Sequence, residues 1–360
     1  MRRILTFLIG LILLAAVLAT AIPEVRIDTW WVRFMDFPRL QITAVLAVAL
    51  LLYVLVRRSG LGWGTLLTVA GVAALISQVA TLWAYQPLAQ QMVPDVLRCE
   101  EDDRLRILVT NVQQSNRHAE AVIEMARAEA PDVFVVMETS EWWDEALQSL
   151  QDDFDVAEQA VQRAPEYYGM QVYSQIPFTE AEMVYPMNSD TPMFEGTLDH
   201  PSGPVHLIGL HPRPPHQTNG GQPSTMRDAT VLDAAMRARD TEAVTVIAGD
   251  FNATPWNDTA RRAMRIGQLL DPRQGRGPLN SYKANSDWMR WPLDQVLWQP
   301  GPGLLDIAIL PPVGSDHQPV RVDLCLAPDV PANPLALKDG DLDVARKAAE
   351  DARALQAREG

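Results

Sequence analysis

A carboxylate and an amide two residues apart, Asp250 and Asn252, follow the apolar run Val244 to Ile247. The run is rich in β-branched residues and too apolar for a surface strand, so it predicts a buried strand that ends at these side chains. A carboxylate can bind a cation or orient water, and an amide can donate a hydrogen bond to a phosphate oxygen. This pairing suits hydrolysis of a phosphate ester. An Asx turn, in which both residues only cap the strand, would use the same side chains.

Two earlier predicted strands also end in polar residues. Leu105 to Thr110 is followed by Asn111, and the apolar run Val133 to Met137 is followed by Glu138. Apolar residues at helical spacing over 116–129 predict a helix between the two strands. Each polar residue alone is typical of a turn or a helix cap. Their joint placement at strand ends favours a functional site.

A histidine follows another predicted strand, 204–210. His211 begins the sequence HPRPPH, in which flanking prolines make a rigid loop and hold the ring in place. His211 and His216 could in principle ligate zinc. No cysteine or third histidine is spaced to complete such a site, so the sequence disfavours zinc.

Three more candidates lie beside the predicted strands nearest the carboxyl terminus. Asp294 stands near the start of the predicted strand 291–298, and Asp316 and His317 precede the last one, 320–326. A carboxylate there could bind a metal or orient water, next to an imidazole that stabilises developing charge. A hydrogen-bonded turn is the alternative for an isolated Asp-His pair.

The length and composition allow one large domain with attachments. The chain has 360 residues, 48% hydrophobic content and a net charge of -15. The apolar residues are concentrated at the amino terminus, in the uncharged runs 4–22, 40–56 and 61–83. Each run is about as long as a bilayer requires, roughly 17 to 25 residues, so we predict three transmembrane helices. Buried core helices are the alternative.

Basic residues predict the orientation of these helices. Arg2 and Arg3 precede the first run, and Arg57 and Arg58 lie between the second and third, so both places favour the cytoplasm. Three crossings then put the chain after about Tyr85 outside the cytoplasm, which means an inner-membrane protein with a periplasmic domain in a Gram-negative cell. The sequence Ala-Thr-Ala at 19–21 is similar to a signal-peptidase site, and cleavage there would leave the side of the domain unchanged.

The candidate residues, taken together, resemble the motif set of the endonuclease/exonuclease/phosphatase superfamily. This superfamily includes DNase I-like nucleases, apurinic endonucleases, inositol polyphosphate phosphatases and neutral sphingomyelinases. The matching residues are Asn111, Glu138, His211, Gly249-Asp250-Phe251-Asn252, Asp294 and Ser315-Asp316-His317. Gly-Asp-Phe-Asn followed far downstream by Ser-Asp-His is a fairly specific pattern, and the match covers about residues 104–326. The apolar segments lie outside it and resemble those of membrane-anchored bacterial members.

The resemblance implies a divalent metal. Glu138 would hold Mg²⁺ or Mn²⁺, with Asn111 beside it, and Asp316 would complete the carboxylates on the metal side. Hard oxygen ligands suit these ions. A cation would also permit several neighbouring carboxylates to stay ionised.

The resemblance also implies catalytic roles. Asp250 would orient or deprotonate the attacking water, and Asn252 would hold a phosphate oxygen. His317, paired with Asp294, would stabilise the charge of the transition state. His211 would be a second catalytic histidine, assisting either the leaving group or the pentacovalent phosphorus.

The chain departs from the family pattern at two places. Pro292 and Leu293 precede Asp294 where a basic or polar residue and an isoleucine are usual, and Gln295 follows it where histidine or tyrosine is common. The residues after Asn111 include no aromatic residue, although many members have one. These departures leave the substrate contacts open.

The fold implied by the resemblance is an α/β, DNase I-like four-layered α/β-sandwich, in which two packed β-sheets are flanked by helices. The residues alone indicate an α/β class but not this topology. The expected organisation is a membrane anchor over 1–85, a connector over 86–103, a catalytic domain over 104–326, and a Pro-rich linker with a charged helical or disordered tail over 327–360.

The sequence does not identify the substrate beyond a phosphate ester. The net charge of -15 disfavours non-specific binding of duplex DNA, which needs basic residues to neutralise phosphates. Tryptophans near the proposed site could stack on a base, a sugar or a lipid headgroup, or could simply pack in the core: Trp142, Trp143, Trp256, Trp288 and Trp291. The partners expected are thus this substrate and the lipid bilayer. A non-catalytic binding or scaffold protein of the same fold is the alternative, and the presence of all the implied ligands favours an enzyme.

The resemblance further indicates that the two cysteines form a disulfide. Cys99 lies just before the first strand of the domain and Cys325 at the end of its last strand, and these strands are close together in the superfamily. Export would place both in an oxidising compartment. Two unrelated thiols are the alternative.

Overall fold

The computed structural model describes residues 1–25, 27–57, 62–160, 168–187, 190–216 and 222–359. These residues form two compact units, one of Met1–Ala89 with Pro215–Ser224 and one of Gln90–Pro214 with Thr225–Gly360. Arg58, which contributed to the predicted orientation, lies outside the described residues.

The first unit contains the three predicted apolar helices. They are α1 (Arg2–Ala21), α3 (Arg39–Val56) and α4 (Trp63–Leu82), and a short helix α2 (Trp30–Phe34) lies between the first two. The segments Arg2–Glu24, Arg39–Val56 and Trp63–Tyr85 have mean hydropathies of 2.7, 2.2 and 1.8. All three are long and apolar enough to cross a membrane, which supports membrane association.

The second unit is built from two β-sheets. Its described strands are β1 (Arg104–Asn111), β2 (Val133–Met137), β3 (Asp155–Ala160), β4 (Met170–Ser174), β5 (Phe178–Val184), β6 (Met193–Leu198), β7 (Val205–Leu210), β8 (Val244–Asp250), β9 (Asp294–Trp298), β10 (Gly301–Ile309) and β11 (Val320–Val330). The first sheet has the order β10-β11-β1-β2-β4-β3, and the second has the order β5-β6-β7-β8-β9. β1 and β2 are parallel, as are β7 and β8, while the other neighbours are antiparallel.

Helices cover the outer face of each sheet. α5 (Ala119–Glu129) and α6 (Glu141–Ala146) pack against the first sheet, and α7 (Thr225–Asp240) and α8 (Asp258–Gly267) against the second. A core rich in valine and leucine fills the space between the sheets. This arrangement confirms the predicted four-layered sandwich.

The side-chain alternation of β1 shows why its sequence is apolar throughout. Ile107 and Val109 face the other sheet, whereas Leu108 faces the helices. Successive side chains of a strand point to opposite faces, and here both faces are covered. A continuous apolar run therefore forms the strand, as in β8, where Val246 and Ile247 face opposite layers.

The carboxyl-terminal tail, for which the sequence left a helix or disorder open, is helical and is packed against the domain. It forms helix α9 (Asp341–Glu359), and Ala345 and Ala352 of this helix are buried. Asp341 is 1% exposed and accepts hydrogen bonds from Arg262 and Arg265 of α8. Alanines on one face and a buried ion pair at its start fix the helix against the second sheet's helical layer.

The connector is also part of the folded unit. Met92 and Val93 are buried in the core between the sheets, and the amide of Val96 donates to the Leu304 carbonyl at 2.8 Å. Cys99 and Cys325 form a disulfide with their Cα atoms 5.9 Å apart, which confirms the predicted pairing.

Candidate active site

The strand directions bring the candidate residues to one end of the sandwich. Because β1 is parallel to β2 and β7 is parallel to β8, Asn111 and Glu138 leave the first sheet at the same edge, as His211 and Asp250 leave the second. The antiparallel strands β9 and β11 begin where their neighbours end. Asp294 consequently pairs with Asp250, and Asp316 and His317 precede β11.

Asp250 is the point where side chains from both sheets converge. It is 1% exposed. Its Oδ2 lies 3.3 Å from Asn111 Nδ2, 3.7 Å from His211 Nε2 and 3.6 Å from His317 Nε2. Its Oδ1 accepts a hydrogen bond from the backbone N–H of Asn252 at 2.8 Å. Burial raises the pKa of Asp250, as does the charge of Asp294, and the two histidines oppose this.

His317 and Asp294 form a buried hydrogen-bonded pair. The ring Nδ1 lies 2.7 Å from Asp294 Oδ2, so Nδ1 donates and Nε2 faces Asp250. Burial lowers the pKa of His317, but the charges of Asp294 and Asp250 outweigh it and raise the pKa to about 10. The imidazole is therefore positively charged at neutral pH.

Glu138 is linked to Asp250 through Asn111, whose side-chain NH₂ group donates to both carboxylates. Its Oε1 accepts a hydrogen bond from Asn111 Nδ2 at 2.8 Å, and its Oε2 accepts one from the backbone N–H of Gln114 at 3.2 Å. Its backbone has φ of 60°, in the left-handed region, which costs energy for a residue with a side chain and is concentrated at functional sites. Asp316 is half-buried, and its pKa is raised by burial and by the charge of Glu138, with His317 opposing.

The side-chain amides of Asn111 and Asn252 both form hydrogen bonds within the protein. Asn111 Oδ1 accepts a hydrogen bond from the backbone N–H of Gln113 at 2.9 Å. This bond turns the NH₂ group of Asn111 toward Glu138 and Asp250. Asn252 Nδ2 donates to the Pro212 carbonyl at 2.9 Å. An NH₂ group has two hydrogens, so Asn252 keeps one donor for a ligand.

A metal could be held at more than one place among these side chains. Asp250, Asp294 and His317 bring one ligand atom each within 4.8 Å of one another, close enough for one ion. This group differs from the predicted ligands Asn111, Glu138 and Asp316. The roles of all eight predicted residues stay predictions, although the fold collects them at one end.

Sequence reasoning missed the segment that holds the His317 pair. Ser281 Oγ accepts the amide of Asp294 at 3.1 Å, and the Tyr282 ring lies 4.6 Å from the His317 ring, centroid to centroid. Burial and the nearby carboxylates raise the pKa of Tyr282 to about 12. Both residues lie in an irregular stretch without periodicity, so no sequence signal distinguished them.

The tryptophans near the site divide into two groups. Trp143, Trp256 and Trp291 are buried and pack in the protein. Trp142 lies under the guanidinium of Arg117, 4.6 Å from its ring centroid, and Trp288 is 62% exposed. The second group is the one that a ligand could reach.

Comparison with known proteins identifies the family and the fold. The model of the Endonuclease/Exonuclease/phosphatase family matches residues 108–317. TDP2 from D. rerio, solved with a single strand DNA product, superposes with a TM-score of 0.51 at 14% identity, covering 61% of this chain and 98% of that one. The human Nocturnin catalytic domain, solved with a bound sulfate anion, gives 0.50 at 14% identity, covering 67% and 97%. At this identity the two structures show the shared fold alone. No curated protein matches the sequence significantly.

The family match spans more than half of the chain and includes every candidate residue from Asn111 to His317. Members of the family are hydrolases that act on phosphate esters. The chain therefore belongs to the Endonuclease/Exonuclease/phosphatase family.

Proposed function

We propose that the protein is a membrane-tethered, divalent-metal-dependent phosphoesterase that uses water as the nucleophile. The observation that supports this most is the buried chain of contacts from Asp294 through His317 to Asp250, beside the Asn111–Glu138 pair. A scaffold protein would have no use for a charged imidazole held between two buried carboxylates.

Asp250 is placed to activate the water. Burial and the Asp294 charge raise its pKa, which makes it a better proton acceptor than an exposed aspartate. The water oxygen would form its bond to phosphorus as the bond to the leaving oxygen breaks. Positively charged His317 stabilises the negative charge that builds on the phosphoryl oxygens. The N–H of Asn252 that is not bonded to Pro212 would bind one of these oxygens, and His211 Nε2 lies 3.7 Å from Asp250 Oδ2.

The residues present fit a hard divalent cation such as Mg²⁺ or Mn²⁺. Glu138 and Asp316 supply carboxylate oxygens, and the pKa of Asp316 is raised first by burial and further by the charge of Glu138. We place the cation there because both ring nitrogens of His317 already face carboxylates, Nδ1 that of Asp294 and Nε2 that of Asp250. Asn111 would hold Glu138 in position. When bound, the cation would supply positive charge for the phosphoryl group.

The anchor and the disulfide support an extracytoplasmic site of action. Three apolar helices precede the domain, and disulfides persist in oxidising compartments. In a Gram-negative cell the domain would face the periplasm from the inner membrane. The substrate would be a nucleic acid, a lipid headgroup or a small phosphate ester; the net charge of -15 argues against a non-specific duplex DNA enzyme.

The test uses the full-length protein in detergent and a panel of single-stranded DNA, lipid phosphodiesters and phosphomonoesters. We expect hydrolysis that EDTA abolishes and that Mg²⁺ or Mn²⁺ restores. Glu138→Ala and Asp250→Ala should each lower kcat by roughly 10² to 10⁴-fold, because both act mainly in the transition state. Exposed Glu145→Ala on α6 is the control and should retain activity. Activity that survives EDTA and both substitutions would contradict the proposal.

A further inference from the structure

Gln295 occupies the position after Asp294 where the family pattern has histidine or tyrosine. Its side chain is buried, with 1% of the residue exposed. Leu297, two residues along the strand, packs into the core on the helix side of the second sheet. Since alternate side chains share a face, Gln295 also points to the helix side, away from His317.

Gln295 bridges a buried ion pair and a backbone carbonyl. Its Oε1 accepts from the guanidinium of Arg273 at 2.7 Å, and its Nε2 donates to the carbonyl of Ala253 at 2.7 Å. Arg273 is held by two bonds to Asp271, at 2.7 and 2.9 Å. Because a guanidinium can only donate, it fixes the oxygen of the amide on its own side and the NH₂ group toward Ala253.

The carbonyl that Gln295 holds belongs to the turn after β8. This turn starts directly after Asp250, the last residue of β8, and contains Asn252, which adopts a φ of 47°. The preceding carbonyl, that of Asn252, accepts from buried Arg227 at 3.2 Å. Two successive carbonyls are thus held from the helix side, which fixes the backbone just after Asn252, the residue whose own N–H donates to Asp250 Oδ1.

We propose that Gln295 is a positioning residue, which keeps the turn of Asp250 and Asn252 in its catalytic geometry through the Ala253 carbonyl. The Asp271–Arg273 pair in turn fixes the Gln295 amide. The inference rests on the proposed function, since it assigns Gln295 to that reaction. A misplacement of about 1 Å in such groups costs on the order of 10²-fold in rate.

Two substitutions separate this role from ordinary packing. Gln295→Glu, assayed at pH 8, keeps an acceptor for Arg273 but points a carboxylate oxygen at the Ala253 carbonyl. Gln295→Met removes both hydrogen bonds at a similar volume. The control is Gln299→Glu, just past the other end of β9, because Gln299 also accepts a backbone amide and donates to backbone carbonyls, those of Ala238 and Gly267.

We expect both variants at 295 to lower kcat about 10 to 100-fold with KM nearly unchanged. We also expect faster hydrogen exchange of the amides of 251–257 in these variants. Gln299→Glu should lower the unfolding temperature and leave kcat and this exchange unchanged. Variants at 295 that lose stability but keep kcat and exchange at the wild-type values would overturn the inference. If no substrate in the panel is hydrolysed by the wild type while exchange rises only in the variants at 295, the proposed function fails and the role of Gln295 in the turn stands.

Discussion

Asp250 is contacted by side chains from both sheets of the sandwich. Asn111 and His317 approach it from the first sheet, and His211 approaches it from the second. The carboxylate is therefore in its reactive environment only when the two sheets are packed together.

The catalytic role of the Asp294–His317 hydrogen bond can be tested by a substitution that changes one oxygen of Asp294 to a nitrogen. Asp294→Asn removes the negative charge that keeps His317 protonated and leaves its volume nearly unchanged. We expect kcat to fall on the order of 10² to 10³-fold with little change in KM, because the charge of His317 matters in the transition state. Steady-state kinetics on the best substrate of the panel measure this. The control is Asp306→Asn on β10, a half-exposed carboxylate that pairs with Arg321. Equal losses in both variants would refute a specific role.

At the residue scale, the residues at strand ends could be predicted from the sequence. Contacts between residues far apart in the sequence could not. Asp250 follows an unmistakable buried strand, so its position at a strand end could be read from the sequence. Gln295 and Tyr282 act through residues distant along the chain, Ala253 and His317, and no local pattern marks such partners. The family pattern even presented Gln295 as a departure, whereas it fills a hydrogen-bonding position.

At the scale of elements, helix α9 is fixed at its first residue. Asp341 bonds to two arginines of α8, Arg262 and Arg265, and the amide of Lys338 donates to the same carboxylate. The hydrogen bond from Arg265 is the main reason that the pKa of Asp341 falls to about 2. Removing one partner of a buried ion pair leaves the other charge uncompensated.

We expect Asp341→Asn to lower the free energy of unfolding by about 3 kcal/mol at neutral pH. The folded-state pKa of Asp341 is lower than the ordinary 3.8, so its stabilisation is complete above pH 4 and is lost as the pH falls toward 2. The difference between wild type and variant should shrink over this window. Denaturant unfolding of the solubilised protein at several pH values measures it. Asp343→Asn is the exposed control, for which a change within about 0.5 kcal/mol is expected. A difference that stays constant down to pH 2 would contradict the assignment.

Two elements show why local sequence was insufficient. Nothing in the local sequence indicates β5, since Glu180, Ala181 and Glu182 are residues that strands disfavour, and pairing with β6 overrides this preference. The sequence of α9 is dominated by acids, bases and alanines, which left a helix or a disordered tail open. Whether such a helix docks depends on the surface it meets, here the arginines of α8.

At the scale of the whole molecule, the four layers were predicted only through the family resemblance. Counting strands and helices gives an α/β class, but the site depends on which strands run parallel. The parallel pairs β1–β2 and β7–β8 place the ends of four strands at one edge. Such pairings join residues far apart in sequence, and hydrophobic periodicity carries no information on strand direction.

The orientation of the whole chain makes a separate prediction. With Arg2, Arg3 and Arg57 on the cytoplasmic side and three spans, the carboxyl terminus should lie outside the cytoplasm. An alkaline phosphatase fused after Gly360, which is active only after export, should be active, and green fluorescent protein at the same point should stay dark. The reverse pattern would place the domain in the cytoplasm.

The Cys99–Cys325 bond closes a ring of the backbone that contains every candidate catalytic residue. A protease that cuts once anywhere inside this ring produces no separate fragment, because both new ends remain on the same covalent molecule. The chain enters the ring at Cys99, after the three apolar helices, so a nicked domain would still be covalently attached to these helices. Shedding of an intact domain would require a cut in the short connector before Cys99. The position of this one bond thus decides which cleavages release the domain and which leave it in place.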